Sequence, residues 1–191
     1  MAAANIAPQT GLSALRELMS QMKHVYYYAT PNLAVTAIGT PTLELPVLED
    51  GVSFDTGSAD IQRINLTTGD TWVSKATAGD PDISMQVASV SDAIASLFMT
   101  KTVTTKVETG DVTFNNTEYE GYGYSLAPKK STGGLLFTGE PGEAMVFFPN
   151  VEMFSNLVLE DGDNPSYFNV AITPLLDNNN ASFYPLTPKA S

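Results

Sequence analysis

Hydrophobic positions along the chain follow two periods, one helical and one extended. Leu12, Leu15, Met19 and Met22 recur at spacings of three and four, with Leu18 beside them. This spacing predicts a helix over residues 12–24 with one apolar face, capped at its start by Thr10 or Ser13 and ended before Pro31. A helix of that length is marginal alone in water. Its stripe therefore packs on its own domain or docks on a neighbouring subunit.

From residue 41 the period falls to two. Ile83, Met85 and Val87 alternate with Asp82, Ser84 and Gln86, the pattern of a half-buried strand. Thr102–Glu108 and Thr117–Ser125 read as further strands, as do the apolar runs at 134–138, 144–148, 151–159 and 166–173. Gly139–Gly142, Pro149–Asn150 and Asp161–Pro165 carry turn residues between them. One helix interrupts this series. Val90, Ile94, Leu97 and Phe98 form a continuous apolar face, with Ser89 and Asp92 as a capping-box-like start. The predicted fold is mainly β, a β-sandwich or split barrel with one packed α-helix and an N-terminal helical arm.

Charge supports a division into an arm, residues 1–40, and a single β-rich domain, residues 41–191. The arm holds Arg16, Lys23 and Glu17, a net of +1. Of the chain's nine basic and twenty-one acidic residues, seven and twenty fall in the second part, a net of −13. The whole chain, 191 residues at net −12, lacks the basic balance that phosphate binding relies on. It has no cysteine, which excludes disulfides, thiolate metal sites and cysteine nucleophiles, and its one histidine, His24, excludes a His-rich metal site. No basic and apolar leader and no run of eighteen apolar residues occurs, so neither a signal peptide nor a membrane span is expected. Three sequons, at Asn65, Asn115 and Asn180, read as chance matches in a chain rich in Thr and Asn.

Candidate chemistry is sparse. Asp55-Thr56-Gly57 matches the catalytic triplet of aspartic proteases, whose mechanism needs two such carboxylates sharing a proton. One copy permits only a dimeric version, and the supporting apolar-apolar-Gly element is missing after Gly57, so a turn between strands is the better reading. Glu160–Asn164 begins like a calcium loop but lacks the later Glu, and Pro165 cuts it short. Asp177–Asn180 reads as an exposed turn. Lys129–Thr132 before Gly133-Gly134 lacks phosphate-loop spacing and reads as a hairpin connection. His24 beside Tyr26, Tyr27 and Tyr28 reads as packing, with no Ser–His–Asp arrangement around it. No catalytic residue, cofactor or metal ligand is therefore assigned, and the chain is not expected to be an enzyme.

Leu43–Phe54, Gly69–Trp72 and Asp82–Ala88, followed by Ser89–Phe98, Gly123–Leu136, Phe148–Met153 and Asp163–Val170, resemble the bacteriophage tail tube proteins. The likeness covers roughly residues 41–175 and is weaker over the first forty. It implies a β-sandwich or split barrel flanked by a helix, six copies of which form a ring whose hairpins close an inner barrel. Stacked rings make a tube for DNA passage, a plan shared with type VI secretion tubes. The implied partners are other copies of the chain, other tail proteins, and double-stranded DNA that transits without specific binding. The implied location is the virion, after assembly in the bacterial cytoplasm. Acidic walls would keep transiting phosphates from sticking. The rival expectations are a capsid decoration or head–tail connector protein, and a carbohydrate-binding β-sandwich. For the latter, Tyr119, Tyr122 and Tyr124 are the candidate platform, although parity separates Tyr119 from the other two.

Overall fold

A computed structural model describes residues 22–188 except 56, 59, 66, 69, 70, 78, 80, 89, 90, 141, 142 and 160–165. Its strands are β1 (His24–Tyr28), β2 (Leu43–Leu45), β3 (Val47–Asp55), β4 (Asp60–Asn65), β5 (Thr71–Thr77) and β6 (Asp82–Ala88). The helix α1 (Asp92–Phe98) comes next. It is followed by β7 (Thr100–Phe114), β8 (Thr117–Ser125), β9 (Lys129–Thr138), β10 (Met145–Val158), β11 (Tyr167–Pro174) and β12 (Tyr184–Leu186). The chain is thus mainly β with one α-helix among the described residues.

The main sheet runs β2-β1-β9-β10-β11-β6-β3, antiparallel throughout, with β12 added alongside the start of β10. Its two end strands are consecutive in the chain, separated only by Pro46. Leu45 pairs with Val25 of β1, while Val47 pairs with Val87 of β6. Pro46 has no N–H to donate, but its carbonyl accepts from the Ala88 N–H at 2.8 Å. One stretch of chain therefore touches both ends of the sheet, and the sheet must curl to allow it.

Inside the curl lies one apolar cluster. Val25 and Tyr27 enter it from β1, Ile83, Met85 and Val87 from β6, Leu135 and Phe137 from β9, and Val170 and Ile172 from β11. The two-residue period expected at 82–88 is present, with Ile83, Met85 and Val87 buried in turn. On the opposite face of β1, β9 and β10, Tyr28, Leu136 and Phe147 form a second cluster, covered by Leu33, Val35 and Ile38 of the β1–β2 connection and by β12. Central strands buried on both faces read as unbroken apolar runs.

The packed helix forms as its periodicity predicts, with Ile94 and Phe98 buried. Phe98 packs against Phe168 at 5.4 Å between ring centroids. Its N-cap is Ser91, whose Oγ accepts from the Ile94 N–H at 3.3 Å, while Ser89 lies outside the described residues. The helix's last carbonyls, which have no partner within so short a helix, are met by strand side chains. Ser131 Oγ donates to Leu97 O at 2.5 Å and Ser155 Oγ to Phe98 O at 2.9 Å. The Lys129 ammonium donates to Ser96 O and Met99 O.

Several sequence readings need correction. Pro149-Asn150 is no turn: β10 runs through it, and the register slips between Phe148 and Val151. A bulge is where a strand tolerates proline. Lys129–Gly134 is no hairpin connection but the first half of β9. A Cβ on Gly133 would lie 2.3 Å from Tyr28 O, so glycine there reflects close approach to β1 rather than a turn. The helix expected over 12–24 falls largely outside the described residues. Its expected end does not hold, because Met22 and Lys23 are not helical and His24 opens β1. Residues 24–28, grouped by charge with the arm, pair along β9 inside the main sheet. Strand alternation at Val25 and Tyr27 decides this, and net charge carries no information on it.

Two substitutions test this packing. Ser131→Ala leaves the Leu97 carbonyl unpaired at a site only 7% exposed, for an expected loss of about 1–3 kcal/mol. Gly133→Ala forces β1 from β9, for a loss of about 1–3 kcal/mol. Urea unfolding of each against the parent chain measures both, and an unchanged midpoint for either contradicts the contact assigned to it.

Candidate assembly interface

Two antiparallel hairpins stand apart from the main sheet. Strands β4 and β5 pair with each other, and so do β7 and β8, with no third strand on either ribbon among the described residues. The β7–β8 ribbon turns at Asn115-Asn116, both at positive φ (48° and 61°). A two-residue hairpin turn whose twist matches its strands needs that conformation, and asparagine tolerates it. The register shifts three times along the ribbon, so the fifteen residues of β7 lie against nine of β8. Such irregularities bend and twist a strand.

The ribbon leaves several large apolar side chains exposed. Val103 is 46% exposed, Val112 47%, Tyr119 48% and Phe114 65%. With Val107 and Tyr122, three of these (Val103, Val112 and Tyr119) line a shallow concavity of about 330 Å³. Lys106 and Glu120 form an ion pair at 2.8 Å across the strands. A two-stranded ribbon is marginally stable in water on its own. Unpaired strand edges beside exposed Val, Phe and Tyr are a template for pairing with another chain.

At its root the ribbon meets the first turn of α1. Asp92 Oδ1 accepts from the Tyr124 hydroxyl, and Asp92 Oδ2 from Lys101 Nζ at 3.1 Å. Lys101 Nζ also sits 3.3 Å from the centre of the Tyr122 ring. The Tyr124 hydroxyl and then Lys101 hold the Asp92 carboxyl below its usual range. Desolvation, followed by the Asp92 contact, raises the Tyr124 phenol. Sequence reading did not join these residues. Their signal is weak, because Lys101 and Tyr124 become neighbours only through the ribbon's register.

The residues with candidate chemistry are dispersed. Asp55 ends β3, and its Oδ1 accepts from the Gly57 N–H at 2.9 Å, with Gly57 at φ 79°. That is the local turn geometry expected of Asp and Gly. His24 Nδ1 lies 2.7 Å from Glu44 Oε1, and the ring stacks on Tyr26. Tyr27 and Tyr28 are buried, donating to Thr132 O and Gly39 O. Lys129 and Ser131 cap the helix, and Lys130 pairs with Glu152 at 2.6 Å. Glu160–Asn164 lies outside the described residues. Among the described residues no three His, Asp or Glu side chains converge as a metal site, and no helix is long and apolar enough to cross a membrane. Tyr119 and Tyr122 border the same concavity despite their parity. Lys101 covers the Tyr122 ring.

Asp177 organises the turn before β12. Its Oδ1 accepts from the Asn179 and Ala181 N–H groups at 2.8 and 2.9 Å, and its Oδ2 from the Tyr184 hydroxyl at 2.6 Å. Asn180 follows at φ 60°. Every carboxylate oxygen is thus used inside the turn.

Compared with known proteins, the chain matches no family model, no curated protein and no solved structure.

The Tyr184 hydroxyl, followed by the Ala181 N–H, lowers the Asp177 carboxyl from the usual aspartate value of 3.8. A depressed carboxyl contributes stability above its unfolded pKa and loses it as pH falls through the lower folded one. Amide exchange at Tyr184 and Leu186 is therefore expected to be slow at pH 5 and to accelerate below pH 3.8, relative to β9 and β10. Asp177→Ala should remove this step, and an unchanged acid profile in that variant would show the turn does not rest on the carboxylate.

Proposed function

We propose that this chain is the repeating subunit of a phage tail tube. It is a structural virion protein that self-assembles into stacked hexameric rings through which double-stranded DNA is delivered to the host. The observation that carries this reading is the β7–β8 ribbon, which combines unpaired strand edges with exposed Val103, Val112, Phe114 and Tyr119. Strand addition between subunits satisfies such edges and buries such side chains. The likeness of residues 41–175 to tail tube proteins, and a mainly β chain with one packed helix, support it further.

Charge favours the same reading. The net charge of −12 repels phosphates, as a channel that passes DNA without holding it requires. The segment ahead of β1, with apolar residues Leu12, Leu15 and Met19 at helical spacing, suits an arm docking on a neighbour. No catalytic residue, cofactor or metal has a part in this function. A sugar-binding platform is disfavoured because Lys101 occupies the face of Tyr122 that a sugar ring would use.

Replacing Val112 and Phe114 with lysine, both already exposed, should leave the fold intact and remove the ribbon's apolar contact. Sedimentation velocity across a concentration series should show the parent chain growing beyond the monomer. The double variant should remain monomeric with an unchanged circular dichroism spectrum. Equal assembly of both would overturn the role of the ribbon, and discrete small oligomers of the parent would favour a decoration or connector protein.

A further inference from the structure

We propose that the Asp92 carboxylate is a latch that fixes the pose of the β7–β8 ribbon on the body of the protein. The ribbon joins the body through Met99 on one side and Leu126–Pro128 on the other. Two such short tethers hold its ends but do not set its direction. Lys101 and Tyr124 face each other across the first pairs of the ribbon, one on each strand, and both reach the same carboxylate on the first turn of α1. Lys101 is held in turn over the Tyr122 ring, with its Nζ 5.9 Å from the centre of the Tyr124 ring. Two side chains of the ribbon therefore converge on one helical residue, and the Tyr122 ring backs one of them.

The helix is a fixed anchor for this contact. Lys129, Ser131 and Ser155 hold its other end to β9 and β10, and Phe98 is buried beneath it. The path from sheet to ribbon runs through strand side chains to the helix carbonyls, and from the Asp92 carboxylate to both strands. The charged and titratable groups set around Asp92 are Lys101 on β7 and Tyr124 on β8. Lys129, on β9, lies at the opposite end of the helix. Asp92 is about half exposed (48%), so the latch is open to solvent and to protonation. Released, the ribbon keeps its cross-strand pairs but loses its fixed angle to the sheet. This holds whatever the ribbon contacts, and so does not depend on the tail tube reading.

Hydrogen exchange of the full chain, kept at a concentration where it is monomeric, tests the latch. In Asp92→Asn the ribbon-root amides, residues 100–103 and 122–125, should exchange about three- to tenfold faster, with β9 and β10 unchanged. Tyr124→Phe removes only the hydroxyl and leaves the helix terminus intact, and should accelerate the same amides. The double variant should fall short of the sum of the two singles, because Asp92→Asn already weakens the acceptor that the Tyr124 hydroxyl uses. Unchanged root amides in both single variants, strictly additive effects, or acceleration spread equally over β9 and β10 would each overturn the latch.

Discussion

The constraint on which this structure depends is the passage of a single chain segment across both ends of its main sheet. Leu45 is bound to β1 and Val47 to β6, with Pro46 between them accepting a hydrogen bond from Ala88. Two residues cannot separate the ends of a flat seven-strand path, so the sheet curls and its inward side chains enclose one core. Strand direction is consistent with this. With β2 and β3 counted as one continuing strand, six strands alternate around the curl. Each is paired antiparallel to the next.

The β4–β5 and β7–β8 segments do not join the main sheet. They leave as separate ribbons, one inserted between β3 and β6, the other between α1 and β9. Val103, Val112, Phe114 and Tyr119 stand exposed on β7 and β8. The fold thus combines a curled body, joined end to end through Pro46, with ribbons that carry no third strand among the described residues. The helix ties the two together, held by hydroxyls and an ammonium at one end and holding the ribbon at the other.

Much of the body was legible in the sequence, because burial on one face leaves a period that can be read directly. Ile83, Met85 and Val87, and Ile94 with Phe98, lie where that period places them. What misled were residues whose local preference was overruled by contacts distant in sequence. Pro149 signals a turn but is accommodated as a bulge within β10. Gly133 signals a loop but is demanded by the backbone of β1. Lys129 and Ser131 read as part of a hairpin connection, yet they lie in β9 and their partners are helix carbonyls some thirty residues earlier in the chain. The ribbon's two strands were recognisable from 102–108 and 117–125. Their pairing and the convergence on Asp92 were not, since the shifted register removes the simple parity by which cross-strand neighbours are inferred.

Electron microscopy of the negatively stained, purified full chain over a range of protein concentrations would decide whether copies of this chain polymerise into a tube, as proposed. Hollow six-fold rings, stacking into tubes as concentration rises, are the predicted result. A featureless monomer at every concentration, or closed particles that never stack, would contradict it.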